Sequence, residues 1–336
     1  MKNKAVIGTL AVLVLMVLGS ICYDLGQANT NADQAKGEKV KVGILQFVTH
    51  DALDAISAGI SKGLEESGYD KDKVVIDYVN AEADQSKIQT MSKQLVANGN
   101  DVLVGVATPA AQGLANATKE IPVVMGAISD PVGAKLVSNL KHPSANVTGV
   151  SNQVPVAQEV DLITQLTPKA KTIGVLYASS EDNSQSQVDQ FETLAKEKGL
   201  TVKSYAVPST NEITSTMSVM TGKVDAIFIP QDNTIASAMK TVAASANKAK
   251  LPVYVVDDSM VKNGGFAAVG QNQFALGVET GKMVAQLLDG KAVKDIPVNV
   301  INTGTPTLNL KVAKELGITI PKEIMDVAEI SVKADQ

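Results

Sequence analysis

The sequence predicts an α/β protein made of two doubly wound parallel-sheet lobes joined by a three-segment hinge. Three observations predict it. From residue 40 onward, short runs of Val, Ile and Leu alternate with stretches of helical apolar spacing. The runs are apolar almost throughout, as expected of strands covered by helices on both faces. The alternation continues over most of a 336-residue chain, too long for one ordinary open sheet, and polar stretches interrupt it where a chain would cross between lobes.

Residues 40–47 form the first apolar run, and Leu53, Ile56, Ile60 and Leu64 then recur at helical spacing. Residues 74–78 read as a strand, and Ile88, Met91 and Leu95 mark the helix after it. A third strand covers 102–106, with an alanine-rich helix from Thr108. A fourth covers 123–128, with a helix expected from Pro131. The second half repeats the scheme, with strands near 172–177, 201–206, 226–229 and 253–256. Crossings between lobes are expected at 146–152, 264–272 and 299–306. The first lobe is then 40–150 plus 273–303, and the second 151–272 plus 304–332. Three parallel crossings make a hinge that bends without unfolding either lobe.

Ahead of the folded body, Lys2 and Lys4 precede an uncharged apolar run over 5–23. That pattern is an export signal, and its length approaches the roughly 20 residues that span a bilayer. A cleaved signal and a retained anchor both fit. Residues 18–22 loosely resemble a lipoprotein cleavage box at Cys22, but Ile21 stands where a small residue belongs, so a chance cysteine is the preferred reading. Residues 24–39 are polar without apolar period and read as a flexible tether. The expected location is outside the cytoplasmic membrane, attached to its outer face or secreted after cleavage.

Composition narrows the function. The net charge is -5 with no basic stripe, which argues against nucleic acid. One cysteine and two histidines, His50 and His142, leave no disulfide and no Cys- or His-rich metal site. No dinucleotide or phosphate loop follows a strand, and no nucleophile accompanies a base, so neither cofactor nor catalysis is expected. All 30 cationic side chains are lysines, so no guanidinium fork is available for a ligand carboxylate.

In open parallel sheets, ligands bind beyond the carboxyl ends of the strands. Thr108-Pro109 and Asp130-Pro131 each follow a strand and read as helix starts, where free amides suit an anion. Thr108 with Pro109 and the amide of Ala110 is the first choice for a carboxylate, and Ser129 the second; plain helix capping is the alternative. Gln46, Thr49 and His50 follow the first strand, with His50 able to stack on a ligand ring or simply to sit in a solvated loop. Ser151 and Asn152 reach the cleft from the first crossing. In the second lobe, Tyr177, Ser179, Asp232, Asn233 and Asp258 stand at strand ends, and either Asp232 or Asp258 can pair with a ligand ammonium. Phe47, Tyr177 and Phe274 are candidates for packing on an aromatic ligand, with ordinary core as the alternative.

Residues 42–54 (VGILQFVTHDALD), GVATPAAQ from Gly105, AISDPVGAKLV from Ala127, NVTGVSN from Asn146, PQDNTIAS from Pro230 and LNLKVAKELGITIP from Leu308 carry a family resemblance. Together they resemble the ABC-transporter substrate-binding family, whose members include tryptophan- and tyrosine-binding proteins. The resemblance covers nearly all of 40–329. It implies a type I periplasmic-binding fold, binding without catalysis, an aromatic amino acid as ligand, ABC permease subunits as partners, and a monomer. It also favours Asp232 over Asp258 for the ligand amine, because Asp232 lies in the PQDNT segment, with Asn233 hydrogen-bonding beside it. A sugar or other polar-solute receptor of the same fold is the runner-up. A transcription regulator would need a DNA-binding segment where the export signal stands.

Overall fold

The computed structural model describes residues 39–334 apart from residue 144. Residues 1–38, which include the stretch read as an export signal, Cys22 and nearly all of the expected tether, lie outside the described residues. The strands are β1 (Val40–Gln46), β2 (Val74–Asn80), β3 (Val102–Val106), β4 (Val123–Ile128), β5 (Val147–Asn152), β6 (Thr172–Ala178), β7 (Thr201–Val207), β8 (Ala226–Phe228), β9 (Val253–Val255), β10 (Ala267–Gly270), β11 (Asn299–Ile301), β12 (Thr305–Asn309) and β13 (Glu329–Val332). They form two sheets, ordered β11-β5-β4-β3-β1-β2 and β13-β12-β10-β9-β8-β6-β7. Every paired strand runs parallel except β10 with β12.

The helices that matter for the site are α1 (Asp51–Glu66), α2 (Gln85–Ala97), α3 (Thr108–Ala117), α4 (Val156–Leu166), α5 (Asp182–Glu197), α6 (Ile213–Met220), α7 (Asn233–Ser237), α8 (Met239–Lys248), α9 (Asp258–Lys262) and α10 (Gln273–Leu288). The helix expected from Pro131 is absent: 131–135 is a run of turns, with Lys135 at φ 57°. Asp130-Pro131 is therefore not a helix start. The sequence crossings also move. Residues 147–152 are β5, buried and paired with β4 and β11, so the chain leaves the first sheet only at 153–155. Likewise β10 fills 267–270 and β11 fills 299–301, leaving 271–272 and 302–304 as the other crossings. Gln271 Nε2 donates to the carbonyl oxygens of Gln153 at 3.3 Å and Ile301 at 3.1 Å, so one side chain ties all three crossings together.

One packing feature fixes the first lobe to this hinge. Gly59 and Gly63 on α1 face Gly277 and Gly281 on α10, the helix that starts just past the second crossing. A Cβ added at Gly277 would lie 2.1 Å from the Ile56 carbonyl oxygen, and one at Gly59 2.2 Å from that of Phe274. The helix backbones touch, so neither helix tolerates a side chain there.

Candidate ligand-binding cleft

The loops after the strands of one sheet meet those of the other. Among the described residues, side-chain hydrogen bonds that cross between the lobes include His50 Nε2 with Asn233 Oδ1 at 3.2 Å, Gln112 Nε2 to Asp182 Oδ2 at 3.0 Å, Ser186 Oγ to Asp130 Oδ2 at 2.8 Å, and Asn263 Nδ2 to Asp51 Oδ2 at 3.0 Å. The lobes thus stand close together, with polar groups enclosed between them. Part of this space is a cavity of about 330 Å³ lined by Ser129, Asp130, Gln153, Ser186 and Gln187, among others.

On the first lobe, α3 begins without any side-chain cap, and Ala107 before it holds φ 77°. Ala127, at the bulged end of β4, holds φ 62°. Alanine in the left-handed region is strained, and two such residues at neighbouring strand ends mark a built site. Thr108, Pro109 and Ala110 are all buried there. Ser129 Oγ, Ser151 Oγ and Asn152 Oδ1 are buried without a protein partner. Native proteins rarely leave buried polar atoms unpaired, so this group calls for a ligand or water. Gln46 serves its own lobe instead: Nε2 donates to Val48 O and Asp54 Oδ1, and Oε1 accepts from Ser57 Oγ at 2.6 Å. Thr49 is exposed and accepts from Asn80 Nδ2 at 2.9 Å.

The second lobe is built differently. Asp232 caps α7, accepting from Ile235 N at 2.8 Å through Oδ1 and from Ala178 N and Ser184 Oγ through Oδ2. Both oxygens are committed within the lobe, so the first choice for a ligand ammonium works as a scaffold between β6 and β8. Burial, then the neighbouring Glu181, pushes its carboxyl up to about 8, against the pull of its three donors. Glu181, in the loop after β6, is 1% exposed and accepts from Asn183, Asn233 and Thr234. Asp258 pairs with Lys262 Nζ at 2.6 Å. Tyr177 is half-buried, and Ser179 is exposed with its hydroxyl on Val207 O. Asn183 Oδ1, Gln187 Nε2 and Gln231 Oε1, which sequence reasoning missed, are buried without partners. Phe47 lies in the first-lobe core, and Phe274 is 45% exposed beside the hinge.

The unpartnered atoms of Ser129, Ser151, Asn152, Asn183, Gln187, Gln231 and His50 are therefore neutral, amides, hydroxyls and one imidazole nitrogen drawn from both lobes. Such a cleft holds a small polar molecule by hydrogen bonds from two bodies at once. This defines the class: a two-lobed, hinged solute-binding protein.

Comparison with known proteins narrows it. Residues 41–332 match the family described as ABC transporter substrate binding protein, and the chain belongs to that family. A tyrosine-binding protein of Clostridioides difficile is 35% identical over 94% of this chain and 93% of its own. The crystal structure of an ABC domain from Streptococcus pneumonia in complex with L-Trp is 57% identical, covers 87% of this chain and 99% of its own, and superposes with TM-score 0.86. Two further structures are each 37% identical. A conserved domain protein from Vibrio cholerae covers 87% of this chain and 99% of its own, with TM-score 0.85. A ligand-free, open substrate binding protein from Clostridium difficile covers 88% and 100%, with TM-score 0.66.

Proposed function

We propose that this chain is the extracytoplasmic receptor of an ABC importer and binds an aromatic L-amino acid between its lobes. The observation that carries the reading is the set of buried, unpartnered, neutral polar atoms contributed by both lobes, beside an uncapped helix start. A zwitterion carries no net charge, so it needs donors for its carboxylate and acceptors for its ammonium rather than one strong counter-ion. The start of α3 with Ser129 and Ser151 supplies the former; amide oxygens and His50 supply the latter. The ligands named for the relatives above, L-Trp and tyrosine, supply the aromatic side chain.

Importer receptors deliver to permease subunits from outside the cytoplasmic membrane. The charged-and-apolar residues 1–23 are read as the export signal or anchor, with Cys22 as a candidate lipidation site. Calorimetry of residues 36–336 against the twenty amino acids tests the ligand. The expected result is saturable binding of tryptophan, tyrosine or phenylalanine; saturable sugar binding with no amino-acid response would overturn it. Fractionation of the full-length protein, with Cys22→Ala beside it, tests location and lipidation.

A further inference from the structure

One side chain in the cleft touches both lobes. His50 lies in the loop after β1; its Nε2 is 3.2 Å from Asn233 Oδ1 across the cleft, and its Nδ1 is buried with no protein partner. The orientation of Asn233 is set by Glu181. Oε2 of Glu181 accepts from Asn233 Nδ2 at 2.6 Å and from the Asn233 backbone amide at 3.2 Å. The other groups on this carboxylate, Asn183 Nδ2 and the amide and hydroxyl of Thr234, are donors as well. A carboxylate surrounded by donors only accepts, so the NH₂ of Asn233 must face Glu181 and its carbonyl oxygen must face His50. That oxygen requires a donor. The imidazole proton therefore sits on Nε2, and in the neutral ring Nδ1 is an acceptor.

We propose that His50 Nδ1 accepts a hydrogen bond from the α-ammonium of the ligand, and that Asn233, held by Glu181, is the positioning residue that fixes this tautomer when the lobes close. The inference rests on the amino-acid reading above and assigns the amine contact within it. Topology favours the ammonium over a ring N–H. β1 and β3 are neighbours, and Phe47 N donates to Val106 O at 3.2 Å, so the His50 loop adjoins the start of α3. Carboxylate and ammonium share one carbon, so the acceptor for one belongs beside the donors for the other. The carboxylates around His50 already have partners: Asp51 with Asn263, Asp54 with Gln46, Asp257 with Ser259 and Met260, and Asp258 with Lys262.

The test is long-range ¹H–¹⁵N correlation of histidine-labelled protein, in which His142 is the only other histidine. In the L-tryptophan complex, His50 should carry its proton on Nε2 with an unprotonated Nδ1 that accepts from the ammonium. In the indole-3-propionate complex, where no ammonium reaches Nδ1, wild type should keep that tautomer and Asn233→Ala should yield a mixture. An Nδ1–H tautomer in the wild-type L-tryptophan complex, or the same single tautomer in Asn233→Ala with indole-3-propionate, overturns the proposal. Binding supplies a second readout. His50→Gln keeps a donor near the Nε2 position and removes the Nδ1 acceptor. It should weaken L-tryptophan by about tenfold or more, the effect of one hydrogen bond to a charged group, and leave indole-3-propionate, which lacks the amine, unchanged. Equal losses for both ligands overturn the amine assignment. Failure of wild type to bind tryptophan, tyrosine or phenylalanine would instead overturn the amino-acid reading, and this assignment with it.

Discussion

The two walls of the cleft achieve polarity by opposite means. The first-lobe wall leaves groups open: an uncapped helix start, strained alanines at 107 and 127, and the unpaired hydroxyls of Ser129 and Ser151. The second-lobe wall is rich in acids, yet Glu181 and Asp232 are saturated by donors of their own lobe. A charged residue at a strand end is not by itself open to a ligand. A carboxylate with every oxygen occupied builds the wall, and the neutral groups without partners are the ones proposed to contact the ligand.

The largest effect expected from breaking this arrangement lies behind the first wall. Gly277→Val forces a branched side chain against the Ile56 carbonyl oxygen, 2.1 Å from where its Cβ would sit. Overpacking against backbone costs at least about 1–3 kcal/mol, and here neither helix can yield without moving the hinge end of α10. Denaturant unfolding should show the loss in the first lobe, or no folded protein at all.

Next comes pH. Among the described residues, the carboxyls held above their usual range are Glu159, Asp232 and Asp257, all in the second lobe and all raised chiefly by burial. Glu159 reaches about 8, with Oε1 on Val269 N at 2.6 Å and Oε2 unpartnered. A raised carboxyl holds its proton in the folded state after the unfolded chain has lost it. Stability is thus fully present below the ordinary carboxylate range and falls as pH rises towards about 8. Hydrogen exchange should show second-lobe protection falling from pH 5 to 8 while the first lobe changes little. Glu159→Gln should remove part of that slope, worth on the order of a few kcal/mol. A slope shared equally by both lobes would break the contrast.

Asp232→Asn sharpens it further. Both Asp232 oxygens receive donors, Ile235 N on Oδ1 and Ala178 N and Ser184 Oγ on Oδ2, and asparagine would turn an NH₂ against one of these sets. The second lobe should lose about 1–3 kcal/mol, while the folded fraction binds ligand nearly normally. The reverse pattern, normal stability with lost binding, would return Asp232 to the ligand. Ser151→Ala should show the smallest effect and the opposite sign of trade. Its hydroxyl has no partner to lose, so stability should stay within about 0.5 kcal/mol while affinity falls by about 0.5–1.5 kcal/mol.

Much of the architecture was legible because buried parallel strands are apolar throughout. The runs at 40–47, 102–106 and 123–128 required no tertiary information to recognise. The short strands β5, β10 and β11 were read as crossings, since three to six residues such as Asn299–Ile301 carry little apolar signal. Pro131 was read as a helix start because it follows a strand and the N-cap residue Asp130, yet Lys135 turns left-handed and 131–135 forms only turns. In the cleft, sequence located the strand ends but not their bonding. The donors that occupy Asp232 come from residues 178 and 184, and those on Glu181 from 183, 233 and 234. Only the folded chain shows which polar groups remain without partners.

Closure of the two lobes on an aromatic amino acid can be read by solution scattering with and without L-tryptophan. The chain contains no tryptophan, so ligand fluorescence reports saturation in the same sample. The account predicts a smaller radius of gyration at saturation, as the open arrangement gives way to one held by the His50–Asn233, Asp130–Ser186, Gln112–Asp182 and Asp51–Asn263 contacts. Identical scattering profiles at confirmed saturation would contradict it.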